Sequence, residues 1–249
     1  MRDAAKEENE PYVAIFLLCS EGLISGKFKR LTMRIAFLHT ADVHVAIFDH
    51  IFDGLDSSVL LNHHVDASLL ERARRDGVEA VRADVETLLK DLSTADAVLC
   101  TCSTLGPLAD DVAKSSKTII RIDRPLMEQA CADGDKILVA LCLDSTRDAT
   151  LNLLTDCGKD AGQNITPIVV ICHDAWAFFE AGDMEAYATS IADSIKLKIE
   201  EEPDVKSIVL AQASMSVAEA KLTDLGIPVR SSPVIAAKRC LEVAKPPRS

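Results

Sequence analysis

Short apolar runs recur along the chain, separated by stretches in which apolar positions return every three or four residues. Ile35–His39, Val98–Cys102, Thr118–Asp123, Lys136–Leu143, Ile165–Cys172, Ser207–Ala211 and Pro228–Ser231 read as strands. Ser68–Asp91 carries Leu69, Leu70, Ala73, Val78, Val81, Val85, Leu88 and Leu89 at helical spacing, interrupted near Gly77. Ala186–Glu200 places Tyr187, Ile191, Ile195 and Ile199 four residues apart, which predicts an amphipathic helix. This alternation predicts βα units and a mainly parallel sheet. The pattern also repeats. Ile35–Thr40 matches Ile137–Cys142, Val98–Leu105 matches Ile208–Met215, and Thr118–Pro125 matches Gly226–Pro233, in the same order. The expected fold is therefore α/β, with two pseudo-symmetric lobes, each a mainly parallel sheet flanked by helices, and an active site in the inter-lobe cleft. Residues 33–125 plus 234–249 form the expected lobe one and 126–233 lobe two. The repeat is used up at Pro233, so the segment after it is expected to be a surplus helix packing back on lobe one.

Residues 1–32 look different: an acidic start, a short apolar run Tyr12–Leu18, then a basic, glycine-bearing stretch. They are expected to be a disordered appendage, consistent with an upstream translation start, with Met33 opening the folded unit. The apolar run is too short to span a bilayer, and the acidic start lacks the positive region of a secretory signal.

Net charge of -12 and 4% aromatic residues argue against nucleic acid and membrane as partners, since both call for a basic face. The eight cysteines are scattered, without CxxC pairs or Cys/His metal spacing, which fits a reducing cytoplasm and no metal. The adjacent His63 and His64 are expected on a solvated loop or helix. No GxGxxG follows the first strand and no GxxxxGK[ST] occurs, which disfavours a nucleotide-dependent enzyme.

The candidate chemistry centres on Cys102. It ends a predicted strand and is followed by Ser103-Thr104-Leu105-Gly106-Pro107. In an open α/β sheet the carboxyl ends of strands line the ligand crevice, and the next helix aims its free N–H groups there. A thiol at that place is pushed toward thiolate, and the hydroxyls of Ser103 and Thr104 add donors for a carboxylate. Cys100 is expected to be a buried small hydrophobe facing away from Cys102.

With these motifs the chain, over about residues 33–243, resembles the aspartate/glutamate/hydantoin racemase superfamily. The motifs are Cys102-Ser103-Thr104-Leu105-Gly106-Pro107 and Leu210-Ala211-Gln212-Ala213-Ser214-Met215. The resemblance implies two pseudo-symmetric lobes, a cysteine at a strand end in each flanking the substrate Cα, and no cofactor. Here Gln212 stands where the second cysteine is expected, and a glutamine cannot shuttle a proton at neutral pH. Arylmalonate decarboxylases, related by the same resemblance, work with one cysteine, although theirs lies in the second lobe.

The implied enzyme is a cofactor-independent racemase or isomerase acting next to the carboxylate of a small acid, with Cys102 as base, acid or nucleophile. The alternatives are a single-cysteine decarboxylase and a degenerate small-molecule-binding protein. Thr40, Ser103, Thr104, Gln212, Ala213 and Ser214 are the expected substrate-binding residues, and His173 is the candidate for the second acid or base. The expected partner is a small carboxylate substrate, and a homo-oligomer is compatible with this class. Arg124 is a candidate clamp for a second substrate carboxylate or a member of an inter-lobe ion pair. Trp176, Phe178 and Phe179 are expected to be helix packing. Selectivity is expected in loops at Val43–Gly54 and Ala175–Asp183.

Overall fold

Strands covered on both faces must be apolar at nearly every position, which is the character of most of the predicted runs. The computed structural model describes residues 32–245. In it, β1 (Arg34–His39), β2 (Leu60–Val65), β3 (Ala97–Cys100) and β4 (Ile119–Arg121) form one parallel sheet in the order β2-β1-β3-β4. A second parallel sheet holds β5 (Lys136–Leu141), β6 (Thr166–Ile171), β7 (Ser207–Leu210) and β8 (Val229–Ser231), ordered β6-β5-β7-β8. The two orders are the same permutation, so the repeat in the sequence is a repeat of topology. Its register repeats too: Leu38 pairs with Cys100 as Ala140 pairs with Leu210. Beyond those pairs, the Thr101 and Ala211 N–H groups donate to the Leu38 and Ala140 carbonyls, each at 3.0 Å.

The helices are α1 (Val43–Leu55), α2 (Ala67–Asp76), α3 (Arg82–Leu92), α4 (Gly106–Ala113), α5 (Arg124–Asp133), α6 (Arg147–Asp160), α7 (Ala175–Glu180), α8 (Met184–Glu201) and α9 (Ser232–Ala244). Gly77 breaks the expected long helix: at φ 90° it ends α2, and a short 3-10 turn separates it from α3. Pro107, Pro125 and Pro233 sit in the first turns of α4, α5 and α9, where the missing N–H has no intrahelical acceptor to lose.

Helices cover both faces of both sheets. On the first sheet, Leu38, Val98 and Cys100 pack with Leu69, Val85, Leu89 and Leu108 of α2, α3 and α4. Its other face sets Ile35, Phe37 and Leu99 against Phe48 and Phe52 of α1 and Ala236, Ala237 and Cys240 of α9. Thus β8 belongs to the second sheet while the helix that follows it lies on the first. The second sheet is covered by α8 on one face and by α5 and α6 on the other. Each fully buried Leu, Ile, Val or Phe contributes about 1.5–3 kcal/mol relative to exposure.

Three expectations are corrected. Val43–Leu55 and Ala175–Glu180 are helices rather than loops, and Phe48 and Phe52 anchor the first of them in the core. The strand β2 was not expected, because Leu60-Leu61-Asn62-His63-His64-Val65 is only half apolar. His63 and His64 therefore lie on an edge strand, and neither occupies a solvated loop or helix. No helix among the described residues is long and apolar enough to cross a membrane. The expected appendage falls, except for Thr32, outside the described residues.

Candidate active site

Beyond β3 the chain stays extended through Cys102 (φ -100°, ψ 110°), then turns through a 3-10 segment at Ser103–Leu105 into α4. Gln212 (φ -108°, ψ 137°) holds the same place beyond β7, ahead of the 3-10 segment Ala213–Lys221. The two residues are thus equivalent in backbone and in position. Cys102 is 6% exposed, as is Thr40 at the neighbouring end of β1, and Ser103 and Thr104 are half-buried. The opening N–H groups of such a turn have no acceptor within it and are available to an anion. Cys102 itself packs in the apolar cluster with Leu69, Leu105 and Cys100. Cys100 therefore shares a face with Cys102, contrary to expectation, because residues two apart on an extended chain point the same way. Burial, with Cys102 close by, pushes the Cys100 thiol up to about 12, so it stays protonated.

In the second lobe the Gln212 side chain is already engaged: its Oε1 accepts the Cys142 N–H at 2.7 Å. Ser214 Oγ lies 2.9 Å from the buried Tyr187 hydroxyl, which also meets Cys142 Sγ at 3.5 Å. Ala213 packs against the core shared by β1, α1 and α9. His173 is exposed in the turn after β6, two strands from β7, or about 10 Å at ~4.8 Å per strand. Thr40, Cys102, Ser103 and Thr104 thus gather at the carboxyl end of the first sheet. Gln212, Ala213, Ser214 and His173 lie at that of the second. Among the described residues no hydrogen bond joins the two groups.

Arg121 and Arg124 do not present free guanidinium groups. Arg121 binds Asp123 through Nε and Nη2 at 2.6 and 2.8 Å and Asp110 through Nη1 at 2.7 Å. Arg124 grips Asp110 with two bonds of 2.9 Å. Asp110 of α4, in the first lobe, is thus the partner the two arginines share. Burial opposes ionisation of Asp110, but the two guanidinium groups outweigh it and hold the carboxyl below its usual range. Trp176 stacks on Phe179 at 4.8 Å, and Phe179 lies tilted against Tyr187 at 5.2 Å, so these rings are helix packing.

On the face of the first sheet opposite Cys102, and unanticipated from the sequence, lies a chain of hydrogen bonds. Asp49 Oδ1 of α1 meets His63 Nε2 at 3.2 Å; His63 Nδ1 meets His39 Nε2 at 2.8 Å; His39 Nδ1 meets Thr101 Oγ1 at 2.8 Å. Phe37 stacks on both imidazoles, at 5.3 Å from His39 and 4.5 Å from His63. His39 and Thr101 are buried and Asp49 is exposed. The legible signal was period two: His39 follows Phe37 on one face of β1, and His63 pairs with Phe37 in register. Among the described residues no group of three or more His, Cys, Asp or Glu is arranged to hold a metal ion.

Neither a family model nor a curated protein sequence matches the chain. Solved structures do. The aspartate racemase of Picrophilus torridus superposes with TM-score 0.58 at 16% identity, covering 86% of this chain and 94% of that one. A glutamate racemase isoform from Bacillus anthracis gives 0.60 at 15%, covering 85% and 81%. The fold is that of these racemases. Unliganded arylmalonate decarboxylase shares this racemase fold, with TM-score 0.53, 15% identity, and 88% and 94% of the two chains covered.

Proposed function

We propose that this chain is a cofactor-independent enzyme acting at the carbon next to the carboxylate of a small acid, with Cys102 as base, acid or nucleophile. The observation that carries it is the equivalence of Cys102 and Gln212 at the ends of the third strands of two like sheets within a racemase fold. The carbon acid is far weaker than a thiol, so the reaction needs donors for a developing enediolate as well as a base. The opening N–H groups and hydroxyls at Ser103 and Thr104, with Thr40 beside them, are the proposed donors in lobe one. Gln212, Ala213 and Ser214 contribute from lobe two, and His173 is the proposed second acid or base. Arg121 and Arg124 are excluded as substrate clamps because Asp110 and Asp123 already occupy them.

Gln212 favours a one-sided outcome, such as exchange with retention or decarboxylation of a geminal diacid, over racemisation by two thiols. This supports a single-cysteine lyase as the second reading. A binding protein on the same scaffold is the third. Deuterium incorporation from solvent into a panel of amino, hydroxy and geminal dicarboxylic acids separates them. Exchange or decarboxylation abolished by Cys102→Ala is the expected result. Gln212→Cys is expected to add racemisation. Tight binding of an acid with neither turnover would leave only the binding protein.

A further inference from the structure

We propose that this chain forms a two-fold symmetric dimer in which the β6 edges of two copies pair antiparallel, joining their second sheets into one. The character of β6 does not match its place. Residues 161–173 hold no Asp, Glu, Lys or Arg, and the only other run of that length, 97–109, contains β3, which is paired on both sides. By sequence β6 is as free of charge as that central strand, yet among the described residues it pairs with β5 alone. An apolar edge is open to another strand, and proteins guard such edges with short strands, charges or polar groups. The other three edges are guarded in this way. The strands β4 and β8 are three residues long and carry Arg121 and Arg230, each in an ion pair, and β2 carries Asn62, His63 and His64.

The free side of β6 has a definite pattern of donors and acceptors. Thr166 N–H donates to the Asp135 carbonyl and Cys172 N–H to that of Leu141, each at 2.7 Å. Successive residues of a strand turn their N–H and C=O to opposite sides, so Thr166, Ile168, Val170 and Cys172 face β5 while Pro167, Val169 and Ile171 face away. Pro167 has no N–H, which leaves Val169 and Ile171 as the outward donors. A two-fold axis beside Val170 sets Val169 opposite Ile171 of the second copy, and each such pair exchanges both of its bonds. Every outward donor on the two strands is then used. A register centred on Val169 would instead leave the Ile171 carbonyl facing the Pro167 ring, without a donor. Identical strands related by such an axis pair antiparallel, and one β6 per chain closes the assembly at the dimer.

Side chains and charge fit this register. Ile168, Val169, Val170 and Ile171 are half-buried in a single copy, the first and third against the core under α8 and the other two against the core under α5 and α6. Pairing sets Val169 beside Ile171 on one face and Val170 beside its symmetry mate on the other, and such β-branched neighbours stabilise antiparallel strands. At a net charge of -12, two copies repel each other over much of their surfaces. The β6 edge brings no charge to the seam, and Asp174, the first charged residue after the run, falls opposite the neutral Thr166 of the second copy. The joined sheet runs β8-β7-β5-β6 and then back through the same order, which gives β6 the central position its sequence suits. The pairing is independent of the chemistry proposed at Cys102.

Sedimentation of the full chain, together with amide hydrogen exchange followed by NMR, tests it. We expect a concentration-dependent equilibrium between a 26.9 kDa monomer and a dimer of twice that mass. The Val169 and Ile171 amides should exchange at least about tenfold more slowly at high than at low protein concentration, whereas Ile168 and Val170, already bonded to β5, keep their rates. Val169→Pro removes an outward N–H and no bond to β5. It should weaken association by about tenfold, since each dimer loses two hydrogen bonds. If that variant fails to fold, the wild-type exchange rates decide alone. A chain that stays monomeric at every concentration would overturn the pairing. So would a dimer whose Val169 and Ile171 amides exchange equally fast at all concentrations, or one that a folded Val169→Pro leaves equally tight.

Discussion

The Arg121 guanidinium, 5% exposed, lies between Asp123 and Asp110, and Gly106 leaves it the room to do so. A Cβ on Gly106 would stand 2.6 Å from Arg121 Nη2. Arg121→Met should therefore destabilise the fold by about 3–5 kcal/mol, since it strands the buried Asp123 carboxylate and takes one of three guanidinium bonds from Asp110; chemical denaturation at neutral pH measures this. His39 makes a second prediction at this scale. An unfolded histidine titrates near 6.5 and the folded one at about 3. Between those values the unfolded chain binds a proton that this folded ring refuses. The contribution is complete above about pH 6.5 and is lost as pH falls, by at most ~1.4 kcal/mol per unit. Urea midpoints at pH 7.5 and 5.5 should differ accordingly, and His39→Gln should flatten the difference. An equally steep dependence in the variant would place its origin elsewhere.

Among the elements, those read correctly from the sequence are buried on both sides or carry a regular stripe. Ala97–Cys100 is fully buried, and so reads as a continuous apolar run. The stripe of α8 puts Tyr187, Ile191 and Ile195 in the core at the expected interval. The strand β2 escaped because it is an edge: among the described residues it pairs only with β1, and its inward positions include a histidine whose ring is satisfied by another histidine 24 residues away. Such a pairing leaves no local pattern. For the same reason Cys102 was legible, standing at the end of an obvious strand before a glycine-proline helix start. Its neighbour Thr101 drew no notice, since what distinguishes it is contact with His39. The helix α1 was misread as a loop because its buried face is narrow, with Phe48 and Phe52 as its fully buried side chains.

For the whole molecule, the duplicated topology fixes where chemistry can arise: at two equivalent strand ends that have since diverged, one carrying a thiol and the other an amide tied to Cys142. The path of α9 breaks that symmetry. Its Ala236, Ala237 and Cys240 close the first sheet's core around Phe37, Phe48 and Phe52, although β1 lies some two hundred residues earlier. A chain stopped after Ser231 keeps β1 to β8 but leaves that aromatic face wet. It should bind a hydrophobic dye and aggregate on warming, and light scattering against the full chain checks this. During translation the same geometry imposes an order of events. A ribosome delivers the first sheet early and must then synthesise the entire second sheet before the helix that seals the first one emerges. In the interval Phe37, Phe48 and Phe52 are the surface a chaperone would hold.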